Sequence, residues 1–162
     1  MTADGPIADA KHNPCFYEPR MNADTNLKDQ LERFARGLSL LRQALHRGPD
    51  CLNPLEKEGA IRRFEYCLDL AWKAALDVLE TSGLRIAPVT PRETLRQAAA
   101  SKLVPDAQVW IDMFNHRNLL AHNYDGVVIG EVTYALAARY FPAMEHLHAT
   151  LAAHAPEMTV GS

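Results

Sequence analysis

Four residues near position 120 carry side chains that could bind a phosphate and transfer a proton. Arg117 and Asn118 are followed closely by His122 and Tyr124. A guanidinium keeps its charge and presents a planar fork to phosphate oxygens, and an imidazole exchanges protons near neutral pH. These residue types predict a site for acid–base chemistry on a phosphate, provided that the fold brings them to one surface.

The segment from Asp106 to His122 predicts a helix, and projecting it at about 100° per residue separates its side chains. One continuous arc is apolar and contains Val109, Trp110, Met113, Phe114, Leu120 and Ala121. Arg117 falls in the middle of that arc, where a guanidinium is unfavourable unless it is paired or lies in a cleft. Asn115, Asn118 and His122 lie beside it, so the helix combines an arginine with a stripe of amides and an imidazole.

A structural explanation exists for each of these residues taken alone. Arg117 could extend to solvent at the end of the helix, and His122 could interact with the carboxyl-terminal end of the helix dipole. The occurrence of both, together with Asn118 and an immediately following turn that contains Tyr124, favours a functional site.

An acidic pair on the second predicted helix is a candidate support for this site. Glu65 projects into the apolar arc of that helix, and Asp69 lies at its edge one turn later. Glu65 could hold Arg117 through a charge-assisted hydrogen bond. A solvated glutamate on the flank of a bundle helix is an equally good interpretation.

Apolar residues at steps of three and four predict helices along most of the chain. Prolines and glycines mark their ends, and Thr90–Glu93 has the pattern of a capping box. The predicted helices cover about 27 to near Gly48-Pro49, 54–82, a short third segment from 91, 106–122 and 130–154, the last bent at Pro142. Val127–Ile129 could form a strand, although it is too short to found a sheet. The pattern predicts an all-α fold, an antiparallel bundle of four to five helices.

The predicted helical domain covers residues 25–155. Residues 1–24 have no apolar periodicity and many turn-forming residues, so we expect a disordered leader there. Residues 156–162 are expected to form a frayed tail.

Composition limits the kinds of function that the chain can have. The net charge is −3, and no Lys/Arg block extends beyond Arg62–Arg63, which argues against a surface that coats nucleic acid. We expect no secretory signal, because the amino terminus lacks a basic start followed by an apolar stretch, and no apolar run approaches the roughly 18 residues that a membrane span needs. Cys15, Cys51 and Cys67 are odd in number and scattered, so we expect a reducing, cytoplasmic location.

Metal binding is not expected from the histidines near the carboxyl terminus. His146 and His148 are two residues apart and would face different ways on a helix, so both are predicted to be surface residues and not a metal pair. The sequence predicts neither a metal nor a cofactor.

Several stretches resemble a known family in the same order along the chain. Arg63-Phe64-Glu65, Trp72-Lys73, Leu79-Glu80 and Gly83 are similar to the characteristic helix of nucleotidyltransferase substrate-binding proteins. The similarity continues through Pro91-Arg92-Glu93, Trp110 and residues 117–125, and in all it covers about residues 27–150. The stretch from Arg117 to Tyr124 also has the R-x4-H-x-Y motif of the HEPN superfamily.

The resemblance implies an antiparallel helical bundle that forms a homodimer, with the two R-x4-H motifs meeting at a shared cleft. It implies a metal-independent endoribonuclease toxin that cleaves tRNA or mRNA. Its antitoxin would be a minimal nucleotidyltransferase (MNT) that attaches AMP to the motif tyrosine. Arg117 and His122 would then be catalytic, Asn118 would orient the imidazole or the phosphate, and Tyr124 would be the modified residue.

Two other functions fit the same residues. The chain could be a non-catalytic substrate-binding or regulatory subunit of a nucleotidyltransferase, with the motif serving for docking and modification. It could also be a helical dimer that binds nucleotides between its helices. Only the first hypothesis, an endoribonuclease, predicts that the isolated protein cleaves RNA without metal.

Overall fold

The computed structural model describes the backbone of residues 23–160 and the side chains of residues 27–155. Within that part the chain is helical and contains no strand, which confirms the all-α prediction. The helices are α1 (Ala23–Leu45), α2 (Pro54–Thr81), α3 (Pro91–Ala100), α4 (Ala107–His122), α5 (Gly126–Ala135) and α6 (Phe141–Val160). A 3-10 turn (Pro49–Cys51) follows α1, and a π-helical turn (Leu136–Tyr140) joins α5 to α6 without a break. The predicted leader lies almost entirely outside the described residues.

The ends of α2 show why this helix begins and stops where the sequence predicts. Asn53 and Glu56 form a reciprocal capping box, in which each side chain accepts a hydrogen bond from the other residue's backbone amide. Pro54 occupies the first turn, where its missing N–H has no partner to lose. After Thr81 the chain turns through Gly83, whose φ of +99° is a conformation that favours glycine.

Helix α2 lies at the centre of the bundle and packs against α1, α3, α5 and α6. Its neighbour α1 runs antiparallel to it: Arg47 pairs with Glu56 near one end, and further along Arg63 donates to the carbonyl of Leu40. The main core includes large, fully buried side chains from α1, α2, α4 and the π-turn, among them Phe34, Phe64, Leu68, Trp110 and Tyr140. Among the described residues, no helix has both the length and the apolar character needed to cross a membrane.

Helices α1 and α2 approach each other closely at Gly37. A Cβ atom at this position would lie 3.0 Å from the Cys67 sulfur and 3.3 Å from the Tyr66 ring. Cys67 is completely buried, and burial raises the pKa of its thiol to about 12. Gly37 therefore allows a helix contact that any side chain would widen.

The last helix begins earlier than predicted. The Asp125 carboxylate accepts a hydrogen bond from Val128 N at 3.0 Å, so it caps a helix that starts at Gly126. Val127–Ile129 is therefore helical, and the strand considered for it is wrong. Near Pro142, where a bend is predicted, the helix contains the π-turn, in which the Phe141 amide bonds to the Leu136 carbonyl five residues back. The backbone of α6 stays helical to Val160, inside the segment predicted as a tail.

The predicted capping box of α3 forms only in part. Thr90 Oγ1 accepts from the Glu93 amide at 3.1 Å, as expected for an N-cap. The Glu93 carboxylate does not return the bond; it accepts from Gln97 Nε2 at 3.1 Å instead.

Candidate functional site

The buried face of α4 matches the arc predicted for it. Trp110, Met113, Phe114 and Leu120 are buried, and Arg117 lies half-buried among them in the same arc. Ala121 departs from the prediction because it is exposed. The apolar face of α4 therefore extends past the core and reaches the surface at the end of the helix.

Arg117 contacts an aromatic ring and not the carboxylate predicted for it. Its Cζ atom lies 5.2 Å from the centre of the Phe114 ring, a cation–π contact within the same helix. No ion pair joins it to any acidic side chain of residues 27–155, so the partnership with Glu65 is not formed. Phe114 lies one turn before Arg117, and the guanidinium lies over its ring. This contact leaves the N–H groups of Arg117 available to a ligand.

Asn118 and His122 are exposed at the end of α4. Neither side chain forms a hydrogen bond with the part of the chain that the structure describes. The backbone closes the helix without them, because the Asn123 amide bonds to the Leu119 carbonyl at 2.7 Å. Both side chains can therefore bind a ligand without breaking an internal contact.

Tyr124 follows the helix and lies against α2. Its side chain is 52% exposed. Partial burial raises the pKa of Tyr124, as do the nearby Glu58 and Glu65 carboxylates, while Arg62 acts in the opposite direction. Glu65 thus belongs to the surroundings of Tyr124 instead of Arg117.

Sequence reasoning missed Glu58, although its spacing offered a signal. Glu58, Arg62 and Glu65 follow one another at steps of four and three on α2, so they share one face of that helix. Asp69, the other acidic residue singled out, has local partners on the same helix. It accepts hydrogen bonds from Trp72 Nε1 at 3.3 Å and from Lys73 Nζ at 3.0 Å.

A small second apolar cluster holds the motif segment against the bundle. It consists of Ile61 from α2, Leu120 from α4, and Val128, Ile129 and Val132 from α5. These residues come from both sides of the turn at 123–125, so they fix where that turn lies. Around it, Leu119, Tyr124 and Val127 remain exposed, Val127 to 73%.

His116 is a second residue that sequence reasoning did not single out. Its Nδ1 atom lies 2.7 Å from the hydroxyl of Tyr140, which is completely buried. One turn earlier, Asp112 accepts from Arg139 Nη2 at 2.8 Å and from Gln108 Nε2 at 2.8 Å. These hydrogen bonds, first that from Arg139, lower the pKa of Asp112. The network joins α4 to the π-turn.

The histidines of α6 have different surroundings from each other. His146 is exposed as predicted, but His148 is half-buried, with Nε2 3.1 Å from the Leu31 carbonyl and its ring edge-on to Phe34. The prediction that His148 is a surface residue is therefore wrong, because α1 packs over it. Within the described part of the chain, no group of three or more His, Cys, Asp or Glu side chains could hold a metal ion.

The chain is similar to known proteins in both sequence and structure. The family model for nucleotidyltransferase substrate binding protein-like sequences matches residues 29–153, which include the whole motif. The chain is also similar to the crystal structure of ttk003001694 from Thermus thermophilus, with 28% sequence identity and a TM-score of 0.63. That similarity covers 73% of this chain and 98% of the other. No curated protein matches the chain. On the length of the family match, the chain belongs to the nucleotidyltransferase substrate-binding-like family.

Proposed function

We propose that this chain is a metal-independent endoribonuclease, the toxin of a cytoplasmic toxin–antitoxin pair, with its site on the end of α4. The proposal rests on where Arg117 and His122 lie and on the absence of polar partners for them among the described residues. Both lie at a surface where the apolar face of α4 emerges, and neither forms a hydrogen bond or ion pair with the described residues. Side chains of this chemistry, held on a helix and without a hydrogen bond or ion pair to the described residues, suit a phosphate ligand.

The chemistry needs an acid, a base and a positive charge. One His122 takes the proton of a ribose 2′-hydroxyl, whose oxygen attacks the adjacent phosphorus. A second histidine gives a proton to the departing 5′-oxygen, which leaves a 2′,3′-cyclic phosphate and a 5′-hydroxyl. Arg117 stabilises the extra negative charge on the phosphorane, and Asn118 orients the imidazole or the phosphate.

A homodimer supplies the second histidine. Leu119, Tyr124 and Val127 are exposed apolar side chains that flank the motif, and Arg117 is only half-covered by its own chain. A second copy packed on this surface would cover these residues and bring two copies of His122 to one cleft. Such a cleft excludes water, which strengthens the interaction between Arg117 and a phosphate.

Modification of Tyr124 would control this activity. An MNT antitoxin would join the tyrosine oxygen to the α-phosphorus of ATP, and pyrophosphate would leave. Two facts support the assignment: Tyr124 is half-exposed beside His122, and the family takes its description from nucleotidyltransferases. The attached AMP would add bulk and negative charge at the cleft, so RNA would be excluded by both.

A cleavage assay in EDTA tests the nuclease. Wild-type protein is expected to cut tRNA or mRNA, and His122→Ala or Arg117→Ala should lower the rate by about 10² to 10⁴. His146→Ala is the matched control, since His146 is an exposed histidine on another helix and should cleave as wild type. RNA left intact by the wild type, or cut equally by all four proteins, would exclude this function.

A non-catalytic substrate-binding subunit is the second candidate. The acidic surroundings of Tyr124, where Glu58 and Glu65 face its hydroxyl, favour it because they disfavour a polyanion such as RNA. Co-expression with a neighbouring nucleotidyltransferase, followed by mass spectrometry, separates the two. Stable association, intact RNA and no toxicity would support the binding subunit. AMP on Tyr124 that abolishes cleavage would support the toxin.

A further inference from the structure

The π-turn presents two consecutive residues to the helix that carries the motif. Arg139 bonds to Asp112, and Tyr140 bonds to His116, one turn further along α4. In an uninterrupted α-helix, consecutive side chains point about 100° apart. The wider π-turn reduces that angle, so both residues can face α4, and such turns are frequent at functional sites.

Tyr140 is fixed more firmly than its neighbour. Its side chain is fully buried, and its ring stacks on Phe64 of α2 at a centroid distance of 5.8 Å. Arg139, by contrast, is exposed. The Tyr140 hydroxyl therefore has a defined position, set by the core of the bundle, from which it meets His116.

The direction of this hydrogen bond follows from burial. Burial raises the pKa of Tyr140 to about 12, so its hydroxyl keeps its proton at neutral pH. A buried hydroxyl hydrogen requires an acceptor, and His116 Nδ1, at 2.7 Å, is its partner among the described residues. The hydroxyl therefore donates, Nδ1 accepts, and the ring proton of His116 is on Nε2.

We propose that Tyr140 is a positioning residue for the site on α4. By donating to His116 Nδ1, it holds His116 as the Nε2–H tautomer and fixes the rotation of the helix at the next residue, Arg117. The effect on cleavage rests on the function proposed above. The effect on geometry does not, because Arg117 lies over the Phe114 ring and the position of its protons in the ring's magnetic field can be measured.

Tyr140→Phe tests the proposal, since it keeps the stacked ring and removes only the hydroxyl. In wild-type protein, nitrogen NMR is expected to show His116 Nδ1 unprotonated. In Tyr140→Phe, both tautomers should be populated and the ring-shifted Arg117 proton signals should move. The kcat for RNA cleavage should fall about ten- to hundredfold with KM unchanged, as expected for misplaced catalytic groups.

Two substitutions of His116 separate positioning from packing. His116→Asn places an amide oxygen near the position of Nδ1 and should restore most of kcat, whereas His116→Leu has no acceptor and should behave like Tyr140→Phe. Arg139→Gln is the matched control in the same π-turn. Because Arg139 is exposed, it should leave the Arg117 signals in place.

Three results would overturn the proposal: a protonated Nδ1 in the wild type, Arg117 signals that do not move in Tyr140→Phe, or equal losses of kcat in His116→Asn and His116→Leu. If the wild type cuts no RNA, that failure belongs to the proposed nuclease. The tautomer and the Arg117 signals then decide the positioning role by themselves.

Discussion

The two halves of α4 differ in what their polar side chains contact. In the first half, Asp112 bonds to Arg139 and His116 bonds to Tyr140. In the second half, from Arg117 to His122, the polar side chains form no hydrogen bond within residues 27–155. One continuous helix therefore contains a segment whose polar side chains bond to the bundle and a segment whose polar side chains form no hydrogen bond with the described residues.

Polar residues that stabilise the fold and polar residues that can bind a ligand therefore lie in different halves of α4. A side chain whose donors and acceptors are used inside the protein holds the fold, and it offers little to a ligand. Side chains without internal partners contribute less to folding and can bind without loss. Substitutions of polar side chains in the first half should therefore change the free energy of unfolding, and those of polar side chains in the second half should mainly change function.

The largest effect is expected from Trp110→Ala, in the first half of α4. Trp110 is 1% exposed, and its removal should lower the free energy of unfolding by about 3–5 kcal/mol through lost burial and the cavity left behind. Urea denaturation measures the change. Leu55→Ala, in the first turn of α2 and 78% exposed, is the control and should stay within about 0.5 kcal/mol of wild type. Similar losses in both would remove the distinction between buried and exposed faces.

A smaller loss is expected where α4 begins. The Asp106 carboxylate accepts from the Gln108 amide at 2.9 Å, so Asp106→Ala should lower the free energy of unfolding by about 1 kcal/mol. Asp106→Asn keeps an acceptor oxygen and should be close to wild type in the same urea measurement. If Asn and Ala destabilise equally, the hydrogen bond is not the source of the effect.

The pH dependence of stability tests the link between α4 and the π-turn. Hydrogen bonds from Arg139 and then Gln108 lower the pKa of Asp112 in the folded protein, so its ionised form favours folding. This contribution is complete above the pKa of the unfolded chain and disappears as the pH falls through the lower, folded value. Asp112→Asn should thus be less stable than wild type at pH 7, and the difference should vanish in acid.

The size of that pH effect should be below that of the Asp106 cap, since the Asp112 ion pair is partly exposed. Urea unfolding at a series of pH values measures it. Arg139→Gln should reduce the same pH dependence by removing the charged donor. A stability difference that stays unchanged as the pH falls below about 4, where the carboxylate of the unfolded chain takes up its proton, would show that Asp112 acts through packing instead of charge.

The smallest effect is expected in the second half of α4, where a substitution should increase the free energy of unfolding instead of lowering it. Asn118 is exposed on a helix interior, where alanine is preferred, so Asn118→Ala should raise the free energy of unfolding by a few tenths of a kcal/mol. Asn115→Ala is the control: Asn115 accepts a hydrogen bond from Arg92, so its replacement should gain less. Loss of stability in Asn118→Ala would show that this side chain has a structural role.

Helical periodicity was sufficient to predict the fold and the orientation of α4. The buried positions of Trp110, Met113, Phe114 and Leu120 depend only on the spacing of apolar residues, which a projection captures. The start of the last helix was missed because Val127–Ile129 is a β-branched run. There, the Asp125 cap and burial of Val128 against α2 and α4 outweigh strand propensity.

The partners of the site residues could not be predicted from spacing. Whether Glu65 meets Arg117 or Tyr124 depends on how α2 and α4 are placed against each other, which periodicity does not define. His116 and Tyr140 are 24 residues apart in the sequence, and their contact involves the π-turn. No residue pattern in the sequence predicts such a turn. The sequence therefore indicates which side chains could bind or react with a ligand. It does not indicate which of them already have a partner inside the protein.

Gly37 has a consequence for how the bundle can be altered. The closest neighbour of a Cβ atom there is the sulfur of a completely buried cysteine, which has no open space to move into. A methyl group at position 37 would act as a spacer, separating α1 from α2 by a few tenths of an ångström. Since α2 also supports the motif turn through Ile61, a single added carbon at the contact between α1 and α2 is a way to shift the site without changing any residue of the site.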